Sequence, residues 1–365
     1  MTHELPGLDV GGLAAWLARE HPELADPTGP GLTASLITGG RSNLTYRVDG
    51  AALPLVVRRP PLGHVLSSAH DMRREHRVIT ALAGTIPVPR TVAVVDDTEP
   101  AEVTGTVFFV MEHVAGTVLA RPEHNAAWTR EGLGRLGVEL AEVLADLHAT
   151  DPAAVGLADF GRPAGYLARQ MKTWRRQYDA SRSRSQPLLD TLQERLETAV
   201  PDDAGRTAIV HGDYRLDNVL VAGPPEAPRI AAVLDWEMAT LGDPLVDLGI
   251  LGMYWRIREL TTSAGVDVVP GAIVPGAGYP DFGEVIDAYA ARAGIAVPDL
   301  SWYRAFACYK LAVILEGIHY RFTGGQTVGD GFDRIGELVQ PLAAEGLDRL
   351  ADTPPRTATT TAGGA

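Results

Sequence analysis

The segment His211-Gly212-Asp213-Tyr214-Arg215-Leu216-Asp217-Asn218 sets a carboxamide five residues after a carboxylate, and Asp235-Trp236-Glu237 begins 17 residues beyond Asn218. Phosphoryl transfer needs such a set. One carboxylate orients and deprotonates an attacking hydroxyl, and further oxygen ligands hold a hard cation such as Mg²⁺ against nucleotide phosphates. The competing reading makes Asp213 and Asp217 turn formers and Asn218 a cap. Two short apolar runs, in TAIVHGD and IAAVLDW, each lead into an aspartate and aim several oxygen-bearing side chains at one place, which favours the chemical reading.

Other segments have the residue types for binding phosphates. Thr38-Gly39-Gly40-Arg41-Ser42-Asn43-Leu44-Thr45-Tyr46 lies between two β-like runs. Glycine lets backbone amides approach a phosphate, and Ser42 and Asn43 add short polar donors; alone, Gly-Gly between strands reads as a hairpin turn. Downstream, Leu55-Val56-Val57-Arg58-Arg59-Pro60-Pro61 places two cations at the end of a strand-like run. The only lysines are Lys172 and Lys310, so any cation in the N-terminal part is an arginine.

HGDYRLDN, DWE and GDPLVDLG resemble the catalytic and metal-binding segments of the aminoglycoside phosphotransferase family, which is similar in fold to protein kinases and includes choline and homoserine kinases. The resemblance covers roughly residues 32–320. It implies an ATP- and Mg²⁺-dependent kinase acting on a small-molecule hydroxyl, with Asp213 as base, Asn218 and Asp235 as catalytic metal ligands, and Glu237 as a further metal-site residue. Gly40, Ser42 and Asn43 would cover the nucleotide. Arg58, with Arg59 as the competing choice, would replace the phosphate-binding lysine of kinases, and Glu75 would be its partner on a helix. Met111 would line the adenine pocket, with the Glu112 carbonyl and the Val114 amide meeting the base. His211 is expected to order the loop, Asp243 and Asp247 to accept hydrogen bonds from buried backbone, and Arg215 either to balance carboxylates or to contact a phosphate. GGRSNLTY, RRPP and LDWEMATLGDP look most like the kinase domains fused or related to acyl-CoA dehydrogenases, which implies a hydroxyacyl or lipid-like acceptor. An antibiotic kinase is the alternative. The missing lysine motivates a second alternative, a nucleotide-binding pseudokinase, and the carboxylates alone a third, a metal-dependent phosphohydrolase.

The elements that must position these residues are legible in outline. Residues 1–30 hold an amphipathic helix marked by Leu13, Trp16 and Leu17. Residues 31–114 form a β-rich N-lobe in which LTASLI, LTYRV, LPLVVR, VPRTVAVV and TVFFVM are separated by Gly, Pro and Asp and interrupted by one helix near 70–83. Residues 115–352 form a mainly helical C-lobe, with helices over 129–148, 166–178, 187–198, 282–293, 302–320 and 331–350, and residues 353–365 a disordered tail. The fold class is α+β, bilobal and protein-kinase-like. His148, Trp302, Tyr303, His319, Tyr320 and Trp255 read as helix packing, the last three with a chance to line an acceptor pocket.

Composition bounds the partners. With 365 residues, 45% apolar and 21% charged, the chain is a folded protein, and 32 basic against 46 acidic side chains give a net charge of −14. That charge speaks against a nucleic-acid surface. Cys308 is the single cysteine, so no intramolecular disulfide forms. No run of about 20 apolar residues is present to span a membrane, and the first 22 residues carry Glu4, Asp9 and Glu20 where a signal peptide would be apolar. A cytoplasmic location is the expectation.

Overall fold

The computed structural model describes residues 5–26, 28–37, 43–62, 71–202, 205–325 and 332–351. Gly40, Ser42 and the 353–365 tail lie outside the described residues.

Asp9 caps α1 (Val10–Glu20) by accepting from the Gly12 amide, and Leu13, Trp16 and Leu17 form its buried stripe. The stripe packs on one face of an antiparallel sheet of β1 (Thr33–Leu36), β2 (Leu44–Asp49), β3 (Leu55–Arg59), β4 (Thr91–Asp96) and β5 (Val107–Glu112), in the order β1-β2-β3-β5-β4. Alternation along each strand divides the side chains between two cores. Leu55, Val57, Phe108 and Val110 join the cluster under α1, whereas Val56, Phe109 and Met111 join the main core on the opposite face. Arg58 has the parity of Val56 and pairs across the ladder with Phe109, so the cleft face of β3 ends in an arginine. The inserted helix is α2 (Met72–Leu82), capped by Asp71; its buried face contains Met72, Glu75, Val78, Ile79 and Leu82. A carboxylate at the second position of that stripe is the one break in an otherwise apolar pattern.

The C-terminal part is mainly helical: α3 (Arg130–Ala149), α4 (Tyr166–Ser181), α5 (Pro187–Thr198), α6 (Leu245–Ser263), α7 (Phe282–Ala293), α8 (Ser301–Thr323) and α9 (Val339–Ala351). Two small antiparallel pairs sit among them, β6 (Ala208–Val210) with β9 (Thr240–Gly242), and β7 (Val219–Ala222) with β8 (Arg229–Val233). Their connections hold the two aspartate-bearing motifs. α6 was not among the helices expected from periodicity, because residues 245–253 are all buried and give no polar face to set a period. Glycines allow its close approach to α8: a Cβ on Gly249 would stand 2.5 Å from the Tyr303 carbonyl oxygen.

Candidate active site

The loop after β6 is fixed from several directions. Gly212 has φ +85°, and a Cβ there would lie 2.7 Å from the Met238 carbonyl oxygen, so the turn excludes other residues. Asp247, at the start of α6 and fully buried, accepts from the amides of His211 (2.7 Å) and Gly212 (2.8 Å). His148 Nε2 lies 3.2 Å from the same carboxylate. The His211 ring bridges the two motifs: the Asp213 amide donates to Nδ1 at 3.2 Å, and Nε2 reaches the Leu234 carbonyl at 2.9 Å. His211 is thus a loop-ordering residue, as expected. Asp243 is also structural in its contacts, accepting from Tyr303 Oη (2.9 Å), Arg206 (3.0 Å) and the Leu245 amide (3.0 Å).

Asp213 and Asn218 meet directly. Asn218 Nδ2 donates to the Asp213 carbonyl (2.8 Å) and carboxylate (3.1 Å), which leaves Asn218 Oδ1 as the end available to a cation. Arg215 Nε donates to the Asp213 carboxylate at 3.1 Å, pairs with Asp217 at 2.8 Å and covers the Tyr254 ring at 4.6 Å. Burial pushes the Asp213 carboxyl up, but Arg215, Lys310 and His211 outweigh it and hold it below the ordinary value, so it is a carboxylate at neutral pH.

The Leu234 amide donates to the Asn218 carbonyl at 2.8 Å and brings the second motif alongside. Asp235 has φ 64° and ψ 63°, the one non-glycine positive φ among the described residues. Left-handed backbone costs an L-residue about 1–2 kcal/mol, and here it turns the carboxylate toward the cleft face of β3. Arg58 meets it there: Nη2 donates to Asp235 Oδ1 at 2.8 Å, while Nε lies 2.9 Å from the Glu75 carboxylate. Burial pushes the guanidinium down, yet Glu75, Asp235 and Glu237 hold it above its ordinary value. Arg59 faces the other way, donating to the carbonyls of Pro60, Gly7 and Thr104. Of the two arginines, Arg58 is the one that lies on the cleft face beside Asp235.

Glu237 accepts from Asn43 Nδ2 at 3.3 Å, and burial together with Asp235 pushes its carboxyl up to about 7. Asn43 itself is buried, with Oδ1 unpartnered among the described residues. In the strand leading out of the N-lobe, Met111 is on the cleft face with Val56. The amide of His113 is taken by the Pro54 carbonyl (2.9 Å) and that of Glu112 by Arg90 (2.8 Å), whereas the Val114 amide has no partner among the described residues. Trp255 donates to the Pro280 carbonyl and packs on Tyr279 and Phe282, and Tyr320 is exposed.

No group of three His, Cys, Asp or Glu side chains converges as a metal cage among the described residues. Mg²⁺ does not require one, since it keeps waters and phosphate oxygens and takes one or two protein oxygens. Asn218 Oδ1 and Asp235 are such donors. Arg58, Arg215 and Lys310 face five interacting carboxylates, those of Glu75, Asp213, Asp217, Asp235 and Glu237. The cluster lacks positive charge, and a divalent cation fits it.

Two residues escaped the sequence reading. Lys310 on α8 donates to the Gly212 carbonyl at 2.5 Å; its signal is a lysine inside the apolar run AFACYKLAVIL. Arg74 on α2 lies over the Phe160 ring at 3.7 Å and donates to the Ala239 carbonyl at 3.0 Å, tying the helix that carries Glu75 to the segment after Asp235. Nothing in its local sequence marks it.

A β-rich lobe with an arginine–glutamate pair, joined to a helical part that presents Asp213, Asn218 and Asp235, defines a protein-kinase-like phosphotransferase. Comparison agrees. The model of the phosphotransferase enzyme family matches residues 33–306. A candidate aminoglycoside phosphotransferase from Ralstonia eutropha superposes with a TM-score of 0.75 at 32% identity, covering 94% of this chain and 98% of that one. An aminoglycoside phosphotransferase in complex with GDP and kanamycin shares the fold at a TM-score of 0.59 and 18% identity, covering 92% and 98%. Acyl-CoA dehydrogenase family member 11 of Gallus gallus is 34% identical over 350 residues, 93% of this chain and 43% of that protein. The chain therefore spans less than half the length of such curated relatives, and it belongs to the phosphotransferase enzyme family. No described helix is long and apolar enough to cross a membrane.

Proposed function

We propose that this chain transfers the γ-phosphoryl group of ATP to a hydroxyl of a small molecule. The observation that carries this reading is the convergence of Asp213, Asn218 and Asp235, with the Arg58–Glu75 pair reaching across to Asp235. Mg²⁺-ATP supplies the phosphoryl group and the charge that activates it. Asp213 orients the acceptor hydroxyl and takes its proton as the oxygen bonds to phosphorus. Arg215 and Asn218 hold that carboxylate in place. Asn218 Oδ1 and Asp235 would hold the cation, with Glu237 beside them, and Arg58, kept in position by Glu75, would contact the phosphates. Asn43 would reach the nucleotide from β2, and Met111, Glu112 and Val114 would receive the base. The acceptor we favour is a hydroxyacyl or lipid-like molecule, supported by the similarity to acyl-CoA dehydrogenase family members over most of this chain. An aminoglycoside acceptor is supported by the Ralstonia eutropha structure at 32% identity and by further structures at lower identity.

Nucleoside diphosphate release, ADP from ATP or GDP from GTP, with a panel of hydroxyacyl thioesters and a panel of aminoglycosides in the presence of Mg²⁺ tests the assignment. Turnover confined to the thioesters supports it; turnover confined to aminoglycosides moves the chain to the antibiotic kinases.

A further inference from the structure

Lys310 lies in the middle of α8 and is 6% exposed. Its ammonium donates to the Gly212 carbonyl at 2.5 Å, stands 3.6 Å from Met238 Sδ and lies 5.3 Å over the Trp174 ring. No carboxylate pairs with it at ion-pair distance among the described residues. An ammonium removed from water without an ion-pair partner is costly, and a linear apolar side chain would pack against Trp174 and Met238 without that cost. Burial pushes its pKa down, opposed by Asp213 and Asp247. The charge is explained only by what it faces. That is the carbonyl of Gly212, whose φ of +85° sets the turn into Asp213, the carboxylate that Arg215 also holds.

We propose that Lys310 is a positioning residue for phosphoryl transfer, fixing the His211–Asp213 turn through the Gly212 carbonyl. This rests on the reading of Asp213 as the base. It gives α8 a direct hold on the catalytic loop, and it separates Lys310 from Arg58 and Asp235, which serve the nucleotide side.

The test is Lys310→Met, which keeps length and loses charge. Because the ammonium is costly to bury, the variant should fold with a melting temperature equal to or above that of the wild-type chain. Amides 211–214 should exchange with solvent about tenfold faster or more, because the Gly212 carbonyl has lost its anchor, while β6 and α6 exchange as before. Turnover should fall about 10²-fold with the Kd for Mg²⁺-ATP within twofold, and in an Asp213→Asn background Lys310→Met should cost little more, since both act on one step. A variant that does not fold, unchanged exchange at 211–214, or a turnover loss fully additive to that of Asp213→Asn would each overturn the proposal. Should the wild-type chain bind Mg²⁺-ATP yet transfer phosphate to nothing, the phosphotransfer reading fails, and the exchange measurement still decides whether Lys310 holds the loop.

Discussion

Replacing Arg58 by alanine removes the cation shared by Glu75 and Asp235 and leaves Glu75, 2% exposed, without an ion partner. Breaking a buried pair typically costs about 3–5 kcal/mol. The loss has a ceiling, because Glu75 can take a proton, and carrying an ordinary carboxyl from its pKa near 4.3 to protonation at pH 7 costs about 4 kcal/mol. At roughly 2 °C per kcal/mol for a chain of this size, the melting temperature should fall by about 6–8 °C at pH 7. Burial already holds the Glu75 carboxyl above its ordinary value with Arg58 opposing the rise; without Arg58 it goes higher still, so the variant's folded state binds more protons than the wild type's and loses stability as pH rises through that window. The deficit relative to wild type should therefore shrink on lowering pH from 8 to 5. Arg58→Ala combined with Glu75→Gln should recover most of the stability and none of the nucleotide affinity. Arg58→Lys restores charge without the fork that reaches both carboxylates, so affinity should recover in part. Melting curves across pH 5–8 and calorimetric Kd values for Mg²⁺-ATP give both quantities. A deficit independent of pH, or nucleotide affinity unchanged in Arg58→Ala, would refute the reasoning.

Asp213→Asn should lower phosphoryl transfer by about 10²–10⁴-fold while calorimetry finds Mg²⁺-ATP affinity nearly unchanged, because the carboxamide still orients but takes no proton. Asp235→Ala should abolish turnover and the Mg²⁺ dependence of ATP binding together, checked by titrating nucleotide with and without the cation. Arg59→Ala should leave the KM for ATP unaltered and lower the melting temperature, since that guanidinium ties Gly7 and Thr104 to the end of β3 and faces away from the cleft.

The strands of the N-lobe were readable because short β-branched runs alternate with Gly, Pro and Asp, and the same alternation fixes which of two adjacent arginines faces the cleft once the partner face of Val56 is known. Asp213, Asn218 and Asp235 stood out by their spacing, with their individual roles given by resemblance, and the structure brings the three segments together. Glu75 was placed by resemblance, and the structure adds that it occupies a core position of α2. Three things were not legible. α6 is buried all round at its start and so has no period. The left-handed backbone of Asp235 depends on the β8–β9 connection; aspartate tolerates that region better than most residues but does not specify it. Lys310 and Arg74 act on backbone carbonyls distant in the chain, at Gly212 and Ala239, and a carbonyl partner can be any residue.

The most direct test of phosphoryl transfer is to incubate the chain with ATP, Mg²⁺ and a pool of hydroxylated metabolites and to follow products by mass spectrometry, with the Asp213→Asn chain alongside. At least one metabolite should gain a phosphoryl group in step with ADP formation, dependent on Mg²⁺ and lost in Asp213→Asn. Tight Mg²⁺-ATP binding with no phosphorylated product would contradict phosphoryl transfer in favour of a nucleotide-binding module, and phosphate released from phosphorylated metabolites without ATP would contradict it in favour of a hydrolase.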